Sequence, residues 1–178
     1  MSGKASALSF VARHRLWSEE QNEAAVRLRR IVEEQGLDTI RFSFPDQHGI
    51  LRGKTLVAEE ALRILENGCT ITTTMLAKDT SHRTVFPVFT AGGGFGMTEM
   101  QGAADVLMIP DPTTFRVLPW APTTGWVLCD VHFADGRPVP FATRGLYKSV
   151  LGKLSARGYD FKAGLEDEFQ IFRANDPK

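Results

Sequence analysis

Long apolar runs are missing from this 178-residue chain, where stretches such as Val106-Leu107-Met108-Ile109 stay far below the roughly 20 residues a bilayer-spanning helix needs. The N-terminus also lacks the apolar core of a secretory signal, so a cytoplasmic location with no membrane contact is expected. An excess of either charge is missing too. Twenty-one basic residues balance 21 acidic ones, so bulk charge recruits neither nucleic acid nor an anionic membrane. Cysteine is scarce. Cys69 and Cys129 stand among apolar neighbours without metal-ligand spacing, which predicts buried free thiols rather than a disulfide or a zinc site. The four histidines, His14, His48, His82 and His132, are scattered, and none pairs with another at metal-ligand spacing. Covalent catalysis has no support, because there is no Gly-X-Ser-X-Gly elbow and no cysteine beside a base. The Gly92-Gly93-Gly94-Phe95-Gly96 run is not followed by a Lys-Ser/Thr pair or a clear helix start, so it reads as a flexible flap rather than a phosphate cradle. What is present is a soluble globular composition, 43% hydrophobic and 24% charged, in a length that suits one domain or one small domain plus part of another.

Residues 1–17 show no sustained period and read as a loose arm whose end Trp17 anchors. Ser18 and Gln21 make a capping box, and Ala24, Leu28, Ile31 and Val32 form a helical stripe that stops at Gly36. Thr39–Phe44 and Ile50–Val57 read as two strands joined by the turn Pro45-Asp46-Gln47-His48-Gly49, and Ala58–Asn67 as a short helix. From Cys69 to Gly102 the pattern dissolves, and a long irregular loop in a compact domain is functional or disordered. Strands return at Asp105–Ile109, Phe115–Leu118 and Gly125–Phe133, the last followed by an Asp135-Gly136 reversal. Thr143 caps a predicted helix with the stripe Leu146, Tyr147, Val150, Leu151 and Leu154. Together these predict a small α+β module, with a second domain opening near residue 143.

The segment Gly164-Leu165-Glu166-Asp167-Glu168-Phe169-Gln170-Ile171-Phe172 alternates apolar and polar residues. As a strand it sends Glu166 and Glu168 to one face, with Cα atoms about 6.5 Å apart, where both carboxylates reach hard divalent cations. Two readings stay open at this point: half of a magnesium or manganese site, or a half-buried strand with a solvated face. Arg52, Lys54, Arg83 and Arg144 suit anion contacts, but isolated basic residues usually just solvate a surface.

The run Ala104-Asp105-Val106-Leu107-Met108-Ile109-Pro110-Asp111-Pro112-Thr113-Thr114-Phe115-Arg116-Val117-Leu118-Pro119-Trp120 resembles the N-terminal domain of the glutamine synthetase family. The turn Phe44-Pro45-Asp46-Gln47-His48-Gly49-Ile50-Leu51-Arg52-Gly53-Lys54 and the Gly-x-Glu-x-Glu-Phe segment at 164–169 are similar to the family's motifs and stand in its order. The resemblance implies a β-grasp domain over 18–138, then the first helix and strand of an incomplete catalytic domain over 139–178. It implies an ATP-dependent ligase that joins the γ-carboxylate of glutamate to an amine through γ-glutamyl phosphate. Glu166 and Glu168 become ligands of two Mg2+ or Mn2+ ions, and Asp105 and Arg144 lie near the substrate or the subunit boundary of a homo-oligomeric ring. Two departures stand out. Ammonia-using members carry Asp-Gly-Ser-Ser where this chain has Cys69-Thr70-Ile71-Thr72-Thr73-Thr74, which suggests an amine larger than ammonia, with Asp79 as a stand-in acid. Ala142-Thr143-Arg144 replaces the usual Asp-Pro-Arg. The family's other metal, nucleotide and substrate residues follow the glutamate segment, so residues 1–178 alone are expected to be inactive. The alternatives are a non-catalytic β-grasp module for binding or assembly, and a different two-metal hydrolase.

Overall fold

Alternation decides the centre of the molecule. In the computed structural model, which describes residues 8–173, Ile40, Phe42 and Phe44 point into the core at no more than 1% exposure, while Arg41 and Ser43 face outward. They belong to strand β1 (Thr39–Pro45), which pairs antiparallel with β2 (Leu51–Val57) in the predicted hairpin. The capping box also forms. Ser18 Oγ accepts from Gln21 N at 3.2 Å, and Ser18 N donates to Gln21 Oε1 at 3.0 Å. It starts a helix, Glu19–Glu34, whose buried face of Ala24, Ala25, Leu28 and Val32 supplies one wall of the core.

The remaining strands are β3 (Cys69–Thr72), β4 (Asp105–Pro110), β5 (Arg116–Leu118) and β6 (Ala121–His132), and a helix at Ala58–Ile64 follows β2. The sheet runs β2-β1-β6-β4-β3, with β5 also paired to β6. β1 and β6 are parallel, and every other pairing is antiparallel. The 12-residue β6 therefore joins the two halves of the sheet: its residues 124–128 pair with β1 and residues 129–132 with β4. The result is a mixed α/β fold with one sheet. Among the described residues no helix is long and apolar enough to cross a membrane.

Three stretches differ from expectation. Within the expected loose arm, Phe10–His14 form a helical turn capped by Ser9; Phe10 and Val11 pack with Ile109, and Trp17 Nε1 donates to Pro110 O at 2.9 Å. The helix is too short for a period to show in sequence, and its stability comes from burial rather than propensity. Residues 1–7 of that arm lie outside the described residues. The Cys69–Gly102 stretch is not wholly irregular either, since β3 pairs with β4 and 3₁₀ turns span Thr73–Ala77 and Thr98–Met100. The third is the glutamate segment, where residues 159–173 form neither helix nor strand. Among the described residues no strand pairs with it, and an unpaired strand leaves its backbone donors and acceptors to water.

Gly53 shows how tightly the hairpin is built. A Cβ there meets the carbonyl oxygen of Phe42 at 1.8 Å, so any side chain must push β2 away from β1. Gly53→Ala is expected to destabilise the protein by about 1–3 kcal/mol in urea denaturation, and an unchanged midpoint rules out this close approach.

Candidate functional site

The expected site residues are not gathered in one place. Glu166 and Glu168 are exposed, and among the described residues no group of three or more His, Cys, Asp or Glu side chains is arranged to hold a metal ion. Asp105 opens β4 opposite Thr72, on the rim of a groove of about 290 Å³ that Glu99, Phe133 and Asp135 also line. Arg144 lies elsewhere, in helix Thr143–Ser155. Thr143 does not cap this helix; its hydroxyl donates to Pro45 O at 3.0 Å and ties the helix to the end of β1.

Arg144 is the centre of an ion-pair cluster. One guanidinium nitrogen donates to Asp130 of β6 and another to Asp111, with the three side chains only 16%, 21% and 6% exposed. Lys148, one helical turn on, reaches Asp130 Oδ2 at 3.0 Å. Asp111 also accepts from Gln21 Nε2 at 3.0 Å and from Thr113 Oγ1 at 2.7 Å. Burial pushes the Asp111 carboxyl up, but the hydrogen bonds from Thr113, Arg144 and Gln21 outweigh it and hold the group below its usual range. Arg144 thus joins the helix to the sheet. The apolar stripe does little of that work, since Leu146, Tyr147 and Val150 are 53–55% exposed and no residue of the helix is fully buried.

A second buried carboxylate organises the β1–β2 turn. Asp46 Oδ1 accepts from His48 N at 2.9 Å and Ile50 N at 3.0 Å, while Oδ2 accepts from Arg52 Nε at 2.8 Å. Burial raises its pKa, yet the Arg52 hydrogen bond and the two backbone donors prevail and leave it lowered. In the sequence Asp46 and Asp111 are ordinary turn residues, and an Asp beginning each turn was the only signal of these roles. Arg52, which as an isolated basic residue is expected to solvate a surface, has a side chain only 10% exposed.

Within the glycine loop Gly93 and Gly94 are packed, while Gly92, Phe95 and Gly96 are exposed. Gly93 N donates to Thr90 O and Gly94 N to Pro87 O, both at 2.9 Å, so these amides are already engaged. Both glycines are buried, and a Cβ on Gly93 stands 2.1 Å from Pro87 O. The two thiols are free, as expected: Cys129 is buried, and burial raises Cys69 to about 11 despite the opposing charge of Lys54.

The outward face of the sheet carries an open groove of about 350 Å³. Arg41, Ser43 and Trp126 line it together with Leu51, Leu118 and Trp120. Beyond the helix, Leu165, Phe169, Ile171 and Phe172 are 79–95% exposed, and Leu146, Tyr147 and Val150 are more than half exposed.

No family model matches the chain. It is 40% identical over 172 residues to a gamma-glutamylanilide synthase of an Acinetobacter species, a match that spans 95% of this chain and 34% of that protein. It is 30% identical over 145 residues to the glutamine synthetase of Methanosarcina mazei, covering 80% of this chain and 28% of the relative. Among solved structures, one described as a GmaS/ADP complex superimposes with a TM-score of 0.54 at 32% identity, over 73% of this chain and 26% of that one. The chain spans about a third of the length of the curated relatives it matches. The order of its motifs, the mixed sheet and these relatives agree: the chain belongs to the glutamine synthetase family and corresponds to the N-terminal portion of its members.

Proposed function

We propose that this chain is the N-terminal part of an ATP-dependent ligase that joins the γ-carboxylate of glutamate to an amine larger than ammonia, through γ-glutamyl phosphate. The observation that carries the reading is the 40% identity to a gamma-glutamylanilide synthase across 95% of the chain. Cys69–Thr74 supports the larger amine, because no carboxylate stands there to favour ammonium. In this reading residues 18–138 are a β-grasp domain, 139–178 open the catalytic domain, and the working form is a homo-oligomeric ring. Asp105 and Arg144 take the substrate or subunit boundary, Arg144 through the cluster it builds with Asp111 and Asp130.

Glu166 and Glu168 are hard oxygen donors and fit Mg2+ or Mn2+ in kind. A bound divalent ion supplies charge neutralisation for a transferring phosphoryl group. The part these residues play is to hold that ion beside the reactants, which requires the segment to pair into a strand. Two carboxylates alone do not complete such a site, so residues 1–178 alone are expected to release no ADP.

The test is ADP release by the polypeptide that carries these residues with the remaining two thirds of its relatives' length. ADP is expected with glutamate plus aniline or a short alkylamine, and little with ammonia; equal rates with ammonia overturn the amine assignment. Glu166→Gln and Glu168→Gln are each expected to cut the rate at least about 100-fold and to weaken Mn2+ binding measured by calorimetry, since each removes a charged ligand while keeping the shape. Unchanged Mn2+ binding in both variants removes them from the metal site. The exposed apolar side chains between residues 146 and 172 support a second reading, an assembly module that joins a full-length relative, and co-purification without amine-dependent ADP release favours it.

A further inference from the structure

We propose that the open groove on the outward face of the sheet binds a planar aromatic carboxylate, its ring against Trp120 and Trp126 and its carboxylate on Arg41. The groove measures about 350 Å³, within the range of small-molecule sites. Strand register explains why it is there. Arg41 of β1 pairs with Trp126 of β6 on one side and Thr55 of β2 on the other, and Arg116 of β5 stands opposite Trp126. In the next row Ser43 pairs with Gly53, so the sheet stays low between Leu51 and Trp126.

The lining selects the ligand by its chemistry. Two indoles and two leucines, Leu51 and Leu118, offer the apolar and π surface that suits a flat ring, and stacked rings gain beyond the area they bury. The charge available here is positive. Among the described residues no carboxylate pairs with Arg41 or Arg116, and the acid nearest along β6, Asp130, is held by Arg144 and Lys148. Arg116 turns its Nε to Thr114 O, which leaves Arg41 as the cation that lines the groove. Nor is Arg41 spent on the neighbouring indole, since among the described residues the cation seated over a ring is Arg137, 5.4 Å from the centroid of Phe133. A guanidinium without a partner takes a carboxylate through paired N–H donors, and the Ser43 hydroxyl supplies a further donor to the same groove.

Trp120 also calls for an occupant. It stands in the tight turn between β5 and β6 and is 75% exposed, whereas Trp17 is tied down through its Nε1 to Pro110 O. A ring laid against it removes apolar surface from water at no cost in buried polar groups. A protonated alkylamine, by contrast, is repelled by Arg41. The groove is therefore separate from the amine chemistry proposed above, and it lies apart from the ion-pair cluster of Arg144.

The experiment follows the three indole N–H signals of the 15N-labelled full chain during titration with phenylacetate, or with phenylacetamide, which keeps the shape and drops the charge. The Trp120 and Trp126 signals are expected to shift and saturate below about 10 mM phenylacetate, while Trp17, already bonded to Pro110 O, stays in place. Phenylacetamide is expected to bind about tenfold more weakly, the worth of a charge-assisted hydrogen bond. Arg41→Gln weakens phenylacetate about tenfold and leaves phenylacetamide unchanged. Trp120→Ala, at an exposed position that the fold does not need, weakens both compounds alike. Equal binding of the two compounds overturns the proposal, as does a titration without saturation or an Arg41→Gln variant that binds phenylacetate as the wild type does. Indole shifts that follow protein concentration with neither compound present place a second copy on this face and overturn it as well.

Discussion

Phe42→Ala is expected to lower the unfolding free energy by about 3–5 kcal/mol, the range for emptying a buried aromatic site. Phe42 is 0% exposed and sits in the middle of β1, opposite Lys54 on the antiparallel side and Val127 on the parallel side. Hydrogen-bonded strands on both sides hold the backbone in place, so the site has little freedom to collapse around a smaller residue. Phe44, one inward position along, is as deeply buried and belongs to the same core as Leu28 of the packed helix. Urea denaturation followed by far-UV circular dichroism gives the value. A loss below about 1 kcal/mol contradicts the placement of β1 at the centre of the sheet.

Arg144→Met is expected to cost about 2–3 kcal/mol, the range for losing charge-assisted hydrogen bonds to largely buried carboxylates. Asp111 keeps the hydrogen bonds from Gln21 and Thr113, and Asp130 keeps Lys148, so the loss falls mainly on the contact between the Thr143–Ser155 helix and the sheet. By contrast Leu151→Ala, which a buried stripe makes costly, is expected to cost less because Leu151 is only half-buried. The dependence on pH separates the charge effect from lost packing. Asp111 is held below its ordinary pKa in the folded protein, so it contributes stability above the unfolded value of about 3.9 and loses it as pH falls through the lowered folded value. Removing Arg144 raises the folded value back toward the ordinary one, so the stability of the variant falls less steeply in acid. A parallel acid limb in wild type and variant contradicts the ion-pair account.

Some elements are legible because their causes are local. The Ser18–Gln21 capping box lies within one turn of the helix it starts, and the alternation Ile40, Phe42, Phe44 is carried by neighbouring residues. The Pro110–Thr114 turn is equally local, with Asp111 accepting from Thr113 two residues on. The short helix at Phe10–His14 and strand β3 were hidden for the opposite reason. One is held by Asn67, whose side-chain oxygen accepts from Phe10 N at 3.0 Å, and the other by β4, more than 30 residues away. β3 spans only Cys69–Thr72, too few residues for its alternation to announce a strand before β4 pairs with it.

By itself the sequence determined the first long helix, the β1–β2 hairpin, the return strands and the family, because each rests on patterns that neighbouring residues complete. The tertiary structure alone decided what the charged residues do. Arg144, one cation among 21, became the link between a helix and the sheet because folding brought it to Asp130, 14 residues away, and Asp111, 33 residues away. Asp46 and Arg52, only six residues apart, are brought together by the β1–β2 hairpin itself. An ion pair needs its partner at hydrogen-bond distance, and partners as far apart in the chain as Arg144 and Asp111 meet only once the sheet that carries them has formed.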